Sequence, residues 1–202
     1  RFLQNGWRLK PLHRLILTSS AYRQTTRLEP SEQAAITDPE NRLLWRFPPR
    51  RLAAEQLRDA MLAVSGELLS KNGGPSEASS SLVRSVYLKK MRNSPDPVLK
   101  TFDAPAGFDS APARLQTTTP IQALLLANND WPLKRAHVFA SKLLRESKSI
   151  GPELVNAAYL AAYARSPEPE ERDAALAYLK DLAANPPAKP APVVKPDKFP
   201  NE

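Results

Sequence analysis

Apolar positions recur at helical spacing along much of this chain, and polar, Pro-rich or Gly-rich segments separate the repeats. From about Leu12 to Ser20, Leu12, Leu15, Ile16 and Ser19 fall on one face, and Pro11 suits the opening turn of a helix. Pro49 to Ser65 is the clearest helix. Leu52, Ala53, Leu57, Ala60, Met61 and Val64 form its stripe, and Gly66 is placed to stop it. Thr119-Pro120-x-Gln122 reads as a capping box opening a further helix. A longer one runs from Trp131 or Pro132 to about Ser147, with Asp130 as cap and Leu133, Ala136, Ala140, Leu143 and Leu144 inward. Pro152 to Ala164 turns Leu154, Val155, Ala158, Tyr159 and Ala162 inward, and Glu168 to Ala184 does so with Ala175, Leu176, Leu179, Leu182 and Ala183. Glu168, Glu170, Glu171 and Asp173 sit where a helix dipole favours negative charge.

The segments between these helices read differently. Thr25 to Asn41 is polar, carries Pro30 and Asp38-Pro39, and reads as a loop. Lys71 to Ser81 contains Gly73-Gly74-Pro75 and a serine cluster, and reads as a flexible connection. Ser85 to Met91 fits either a short strand or a helical turn. Pro95 to Arg114 is irregular, with four prolines, and Asn185 to Glu202 holds six and reads as a disordered tail. The pattern predicts an all-α or nearly all-α fold: an irregular multi-helix domain with long loops, room for one short strand pair, and a Pro-rich disordered tail. We expect a single helical domain over 1–184, comprising a basic half (1–100) and a neutral helical half (101–184), with the tail at 185–202. The opening Arg1-Phe2-Leu3-Gln4-Asn5-Gly6-Trp7 reads as the end of an element, so upstream sequence is expected.

Charge sharpens this division. Residues 1–100 carry 17 Lys/Arg against 9 Asp/Glu, while residues 101–202 carry 12 of each, so the whole net charge of +8 lies in the first half. Such a surface suits nucleic acid, an anionic surface or an acidic partner domain. The chain has no cysteine, which excludes disulfides, thiolate catalysis and Cys-ligated zinc, iron–sulfur or covalently attached haem within it. No apolar run approaches the roughly 18 residues that span a bilayer.

Candidate chemistry is sparse. His13 and His137 have no convergent partners at ligand spacing, so no metal site is expected, and His13 reads as a helix histidine at a partly buried edge. Asp103 and Asp109 are the candidate acid/base pair, although loop aspartates six residues apart more often cap turns. Arg84, Lys89, Lys90 and Arg92 flank Tyr87, a basic–aromatic cluster without any nucleic-acid-binding fold signature. Arg42, Arg46, Arg50, Arg51 and Arg58 crowd one stretch beside Glu55 and Asp59. Arginines so placed organise loops through bonds to carboxylates and carbonyls, and an anion site is the alternative.

Ordered motifs along most of the chain carry a resemblance. They begin with Trp7-x-Leu9-Lys10-x-Leu12-His13-Arg14-Leu15-Ile16, Ser19-Ser20-Ala21-Tyr22-Arg23-Gln24 and Asp38-Pro39-x-Asn41-Arg42-Leu43-Leu44-Trp45-Arg46. Arg50-Arg51-Leu52-x-Ala54-Glu55-x-Leu57-Arg58-Asp59-Ala60, Arg84-Ser85-Val86-Tyr87 and Phe102-Asp103-Ala104-Pro105 continue them. Arg114-x-x-Thr117-Thr118-x-Pro120-x-Gln122-Ala123-Leu124-x-x-x-Asn128 and Arg165-x-Pro167-x-Pro169-Glu170-Glu171 complete them. This order resembles the planctomycete-specific domain one family (domain of unknown function 1553). The resemblance implies the C-terminal domain of a large exported bacterial protein, periplasmic or extracytoplasmic, often with a c-type cytochrome domain elsewhere in the polypeptide. It supplies no catalytic residues. Arg42, Arg51, Arg58, Asp59, Asp103, Arg114, Gln122 and Asn128 stand at its motif positions.

The expectation is a non-catalytic accessory or docking domain of an exported, haem-linked multidomain protein. Its partners are neighbouring domains of the same polypeptide. No cofactor is expected in this segment, no membrane span, and haem c only elsewhere. The alternatives are a hydrolase-like domain acting on an extracytoplasmic polymer through Asp103 and Asp109, and nucleic-acid binding by the basic half.

Overall fold

The computed structural model describes residues 1–26, 31–91, 93–105, 107, 113–147 and 150–186. It contains eight α-helices and one 3₁₀ turn among these residues, so the fold is all-α. Two isolated parallel bridges, Leu69–Val83 and Glu77–Leu88, stand where a short strand pair had room. The chain divides into two compact units, residues 1–52 and 53–202.

In the first unit, α1 spans Leu9–Leu17 and α2 spans Glu32–Thr37. The stretch expected as a loop therefore contains a short helix. Ser31 accepts from Ala34 N at 3.1 Å, which satisfies an otherwise unpaired donor and starts it. His13 lies exposed on α1 rather than at a partly buried edge, and Leu15 and Ile16 are exposed too. Beyond α2, Asp38 is buried and organises a turn. Its carboxylate accepts from the backbone N–H of Arg42 (2.8 Å) and Leu43 (2.7 Å), and its carbonyl accepts from Trp45 Nε1 (2.9 Å). Asn41 closes the turn from the other side. It donates to the Arg46 carbonyl and accepts from the Arg46 N–H, in a left-handed conformation that asparagine tolerates. Tyr22 and Phe47 meet edge to face at 5.7 Å.

The second unit is built on α3 (Ala54–Ser65), α4 (Pro97–Thr101), α5 (Pro120–Asn128) and α6 (Asp130–Glu146), followed by α7 (Pro152–Tyr163) and α8 (Pro169–Ala184). α3 starts at Ala54, not Pro49. Gln56 Oε1 accepts from Ala53 N–H at 2.9 Å and closes the first turn there. Gly66 ends it as expected, at φ 82°. The bonds Glu67 N to Leu62 O and Gly66 N to Ala63 O complete a Schellman motif. α3 buries Ala54, Arg58, Leu62 and Ser65, a line rotated from the apolar stripe read in the sequence, because a hydrogen-bonded arginine takes an inward position. Ala54, Val98 and Phe102 form the buried cluster, and Leu57, Leu99, Leu125 and Trp131 pack on it.

α6 is capped by Asn129, whose Oδ1 accepts from Trp131 N at 2.9 Å. Asp130 is thus the first helical residue, where its charge suits the dipole, rather than the cap. Its buried positions are Pro132 and Leu143, while Leu133 and Leu144 are exposed, again a displacement of the expected stripe. Of the inward residues expected on the last two helices, Val155 is buried and Leu176 and Leu179 half-buried, whereas Ala162, Leu182 and Ala183 are exposed. α7 and α8 pack together across the short connection 164–168. Arg165 joins them by donating to both oxygens of Glu171 (2.6 and 2.7 Å) with its guanidinium over Tyr159 and Tyr163. The bonds to Glu171 raise the Arg165 pKa further above its usual value. No described helix is long and apolar enough to cross a membrane.

Candidate functional site

Two motif residues of the second unit, Arg58 and Asp59, converge on the loop that α3 faces. Arg58 is 1% exposed. Its Nη1 donates to the Val83 carbonyl (2.9 Å), and its Nη2 to the carbonyls of Ser81 (2.5 Å) and Ser79 (3.3 Å). Burial pushes its pKa down, while Asp59 and then Asp96 oppose that shift. The guanidinium carries its charge into this site, since arginine is not deprotonated in proteins. The adjacent Asp59 accepts from both the backbone N–H and the hydroxyl of Ser85, each at 2.7 Å. The two neighbours thus grip segment 79–85 with opposite charges. A cation satisfies its carbonyls and an anion its N–H, which keeps polar backbone from being buried unpaired.

Trp131 lies on this clamp. The Arg58 guanidinium carbon is 5.4 Å from its ring centroid and that of Arg135 is 4.8 Å away. Both fall within cation–π range. Arg58 Nε is buried without a hydrogen-bond partner among the described residues, and the guanidinium carbon beside it lies over the ring. Arg135 in turn donates to both carboxylate oxygens of Glu67 (2.9 and 3.0 Å), and Ser65 Oγ donates to the same carboxylate at 2.8 Å. The bond from Arg135, reinforced by that from Ser65, holds the Glu67 pKa below its usual value against the opposing effect of burial. Glu67, Trp131 and Arg135 were not singled out in the sequence. A charged residue directly after a helix-ending glycine was the available signal for Glu67.

A second network joins α4 to α5. Asp103 occupies the left-handed position after α4 (φ 63°), with Ala104 N bonded to Leu99 O and Asp103 N to Lys100 O in a second Schellman motif. Its carboxylate accepts from Thr117 N (2.7 Å) and Thr117 Oγ1 (2.9 Å). Gln122 is buried at 3% exposure. Its amide donates to the Thr101 carbonyl (3.0 Å) and Thr117 Oγ1 (3.2 Å), and accepts from Thr119 N (3.2 Å), the box expected at the start of α5. Arg114 Nη1 donates to both oxygens of Glu55 at 3.0 and 3.1 Å.

A groove of about 460 Å³ opens beside these networks. One wall is the segment Leu88–Met91 and another is α4 with Leu99 and Lys100. Ser79, Ser85, Glu55 and Asp96 also line it. Glu55 is held by Arg114, and Asp96 caps α4 by accepting from Leu99 N at 2.9 Å. Lys89, Lys90 and Lys100 are exposed and have no carboxylate partner among the described residues.

The remaining candidates are dispersed. Arg42 is exposed in the first unit and pairs with Glu40 at 2.7 Å, and Arg51 is half-buried in the same unit. Asn128 is exposed and donates to the Leu124 carbonyl at 3.0 Å. His137 is exposed on α6. Asp109 and Arg92 lie outside the described residues. Among the described residues, no group of three or more His, Cys, Asp or Glu is placed to hold a metal ion. The arrangement can hold loops and present cations.

A family model described as PSD1, protein of unknown function (DUF1553), matches residues 1–179. Neither a curated protein nor a solved structure matches the chain.

Proposed function

The chain belongs to the DUF1553 family of proteins of unknown function, and from that premise we propose that it is a non-catalytic docking domain of an exported multidomain bacterial protein. One observation carries the reading: the charges divide into two sets. Arg58, Asp59, Asp103, Gln122 and the Glu55–Arg114 pair are spent on backbone and loop contacts. Lys89, Lys90 and Lys100 surround a groove and have no counter-ion among the described residues. A carboxylate bonded twice to one threonine supports a structural role for Asp103 over an acid/base one. Unpaired cations around a concavity attract and orient an acidic partner.

The partner is a neighbouring domain of the same polypeptide, and the setting is extracytoplasmic with a c-type haem elsewhere in the protein. The test is carbodiimide cross-linking of the full-length polypeptide, which joins lysine amines to carboxylates in contact, followed by mass spectrometry. Cross-links from Lys89, Lys90 or Lys100 to acidic residues outside residues 1–202 are expected. Cross-links confined to residues 1–202 would overturn the docking reading. The haem setting is tested separately by the visible spectrum of the full-length protein, produced in a host that matures c-type cytochromes. A Soret band with c-type reduced peaks is expected, and a featureless spectrum removes that setting.

A further inference from the structure

We infer that the groove between Leu88–Met91 and α4 is a binding site for an extended acidic peptide segment, which adds to the free edge of Leu88–Met91 and places its carboxylates on Lys90 and Lys100. The inference rests on the docking reading and specifies its partner.

Backbone geometry supplies the first argument. Glu77 N donates to the Tyr87 carbonyl (2.8 Å), and Lys89 N donates to the Glu77 carbonyl (2.7 Å). One edge of the segment is therefore paired. Leu88 is extended (φ −74°, ψ 141°) and bridges Glu77, so its carbonyl points away from the paired edge, and the N–H and carbonyl of Lys90 lie next along the chain. These three groups have no hydrogen-bond partner among the described residues. An unpaired edge of this kind is a template for an added strand.

The groove itself supplies the second. Its volume of about 460 Å³ falls in the range of ligand-binding clefts. Its lining mixes Leu88, Leu99, Ala104 and Pro105 with the lysines, and Met91, 49% exposed, offers an adaptable apolar surface. Charge is the third argument. Glu55 is paired with Arg114, and the three lysines outnumber the remaining carboxylate, Asp96, so they set the sign of the ligand. A polyuronate would match the lysines but leave the backbone edge and the apolar wall unused.

The test is fluorescence anisotropy on the 202-residue chain with three labelled probes: a decapeptide alternating Glu with Val, one alternating Lys with Val, and an oligogalacturonate. The Glu/Val peptide is expected to bind saturably. Binding should weaken at least about tenfold in a Lys90→Glu/Lys100→Glu variant and comparably as salt rises, because exposed charges are screened. Lys134→Glu, on α6 and outside the groove, should leave binding unchanged, and circular dichroism melting confirms that each variant folds. If the double variant does not fold, the salt dependence and the Lys/Val peptide serve the same purpose on the unaltered chain. No saturable binding of the Glu/Val peptide up to about 1 mM overturns the inference. So does binding that ignores the lysine reversals, and so does binding of oligogalacturonate alone. Peptide binding without external cross-links would leave the groove and remove the docking reading. External cross-links without peptide binding would do the reverse.

Discussion

Arg58 Nη1 lies 2.9 Å from the carbonyl of Val83, a residue 25 positions away, and this bond ties a buried helix face to the loop that walls the groove. Replacing the side chain by Met keeps much of its volume and strands the carbonyls of Ser79, Ser81 and Val83. The expected loss is about 3–5 kcal/mol, the scale for removing one member of a buried charged network. Urea unfolding should show a much lower midpoint at unchanged slope. A loss below about 1 kcal/mol, the scale of an ordinary surface bond, would mean the clamp is dispensable.

Asp103 combines two features with separable costs, a left-handed backbone and two bonds to Thr117. Asp103→Ala loses the bonds and keeps the conformational strain, and should cost about 2 kcal/mol. Asp103→Gly loses the same bonds but relieves the strain, so it should be milder than alanine. Thermal melts of the two variants check the order. Alanine and glycine of equal stability would show that the backbone conformation carries no cost.

Gly66 isolates the conformational effect. The nearest atom a Cβ would meet is the flexible Lys142 side chain at 3.6 Å, so space is available. With φ at 82°, Gly66→Ala should still cost about 1 kcal/mol, from the left-handed conformation alone. Denaturant unfolding with no measurable change would contradict this.

The pairing of Glu67 with Arg135 gives a pH signature. The folded pKa of Glu67 lies below its unfolded value, so the pair stabilises the fold above the unfolded pKa of roughly 4.3 and loses that contribution as pH falls through the folded value. Relative to Glu67→Gln, the native protein should be more stable by about 2 kcal/mol at neutral pH. The difference should shrink on acidification below about pH 4. A difference independent of pH over that range would show that the charge on Glu67 contributes nothing.

Helix existence was legible in the sequence wherever a cap or stop had its own chemistry. Thr119 with Gln122 and Gly66 are the examples, because their bonds are local. Which face turns inward was less legible. On α3 the buried line includes Arg58, and nothing in apolar periodicity reveals that carbonyls from 79–83 will solvate a guanidinium there. The short helix α2 was hidden among prolines and polar residues, since Ser31 rather than an apolar stripe starts it. Arginines near Glu55 and Asp59 were recognised as loop organisers, yet the Trp131 contact and the Arg135–Glu67 pair join positions far apart in the chain. The groove was invisible for the same reason. Its walls come from segments separated in sequence, and the freedom of Lys89, Lys90 and Lys100 emerges only when Glu55 and Asp96 are seen to be engaged.

Hydrogen exchange on Leu88–Met91 in the full-length polypeptide tests most directly whether the edge of that segment is the docking surface. The Lys90 amide has no hydrogen-bond partner among the described residues of this chain and should exchange rapidly in the chain of residues 1–202. In the full-length polypeptide at low salt it should be protected, and Lys100→Glu should weaken that protection. Equally rapid exchange in both proteins would contradict the account.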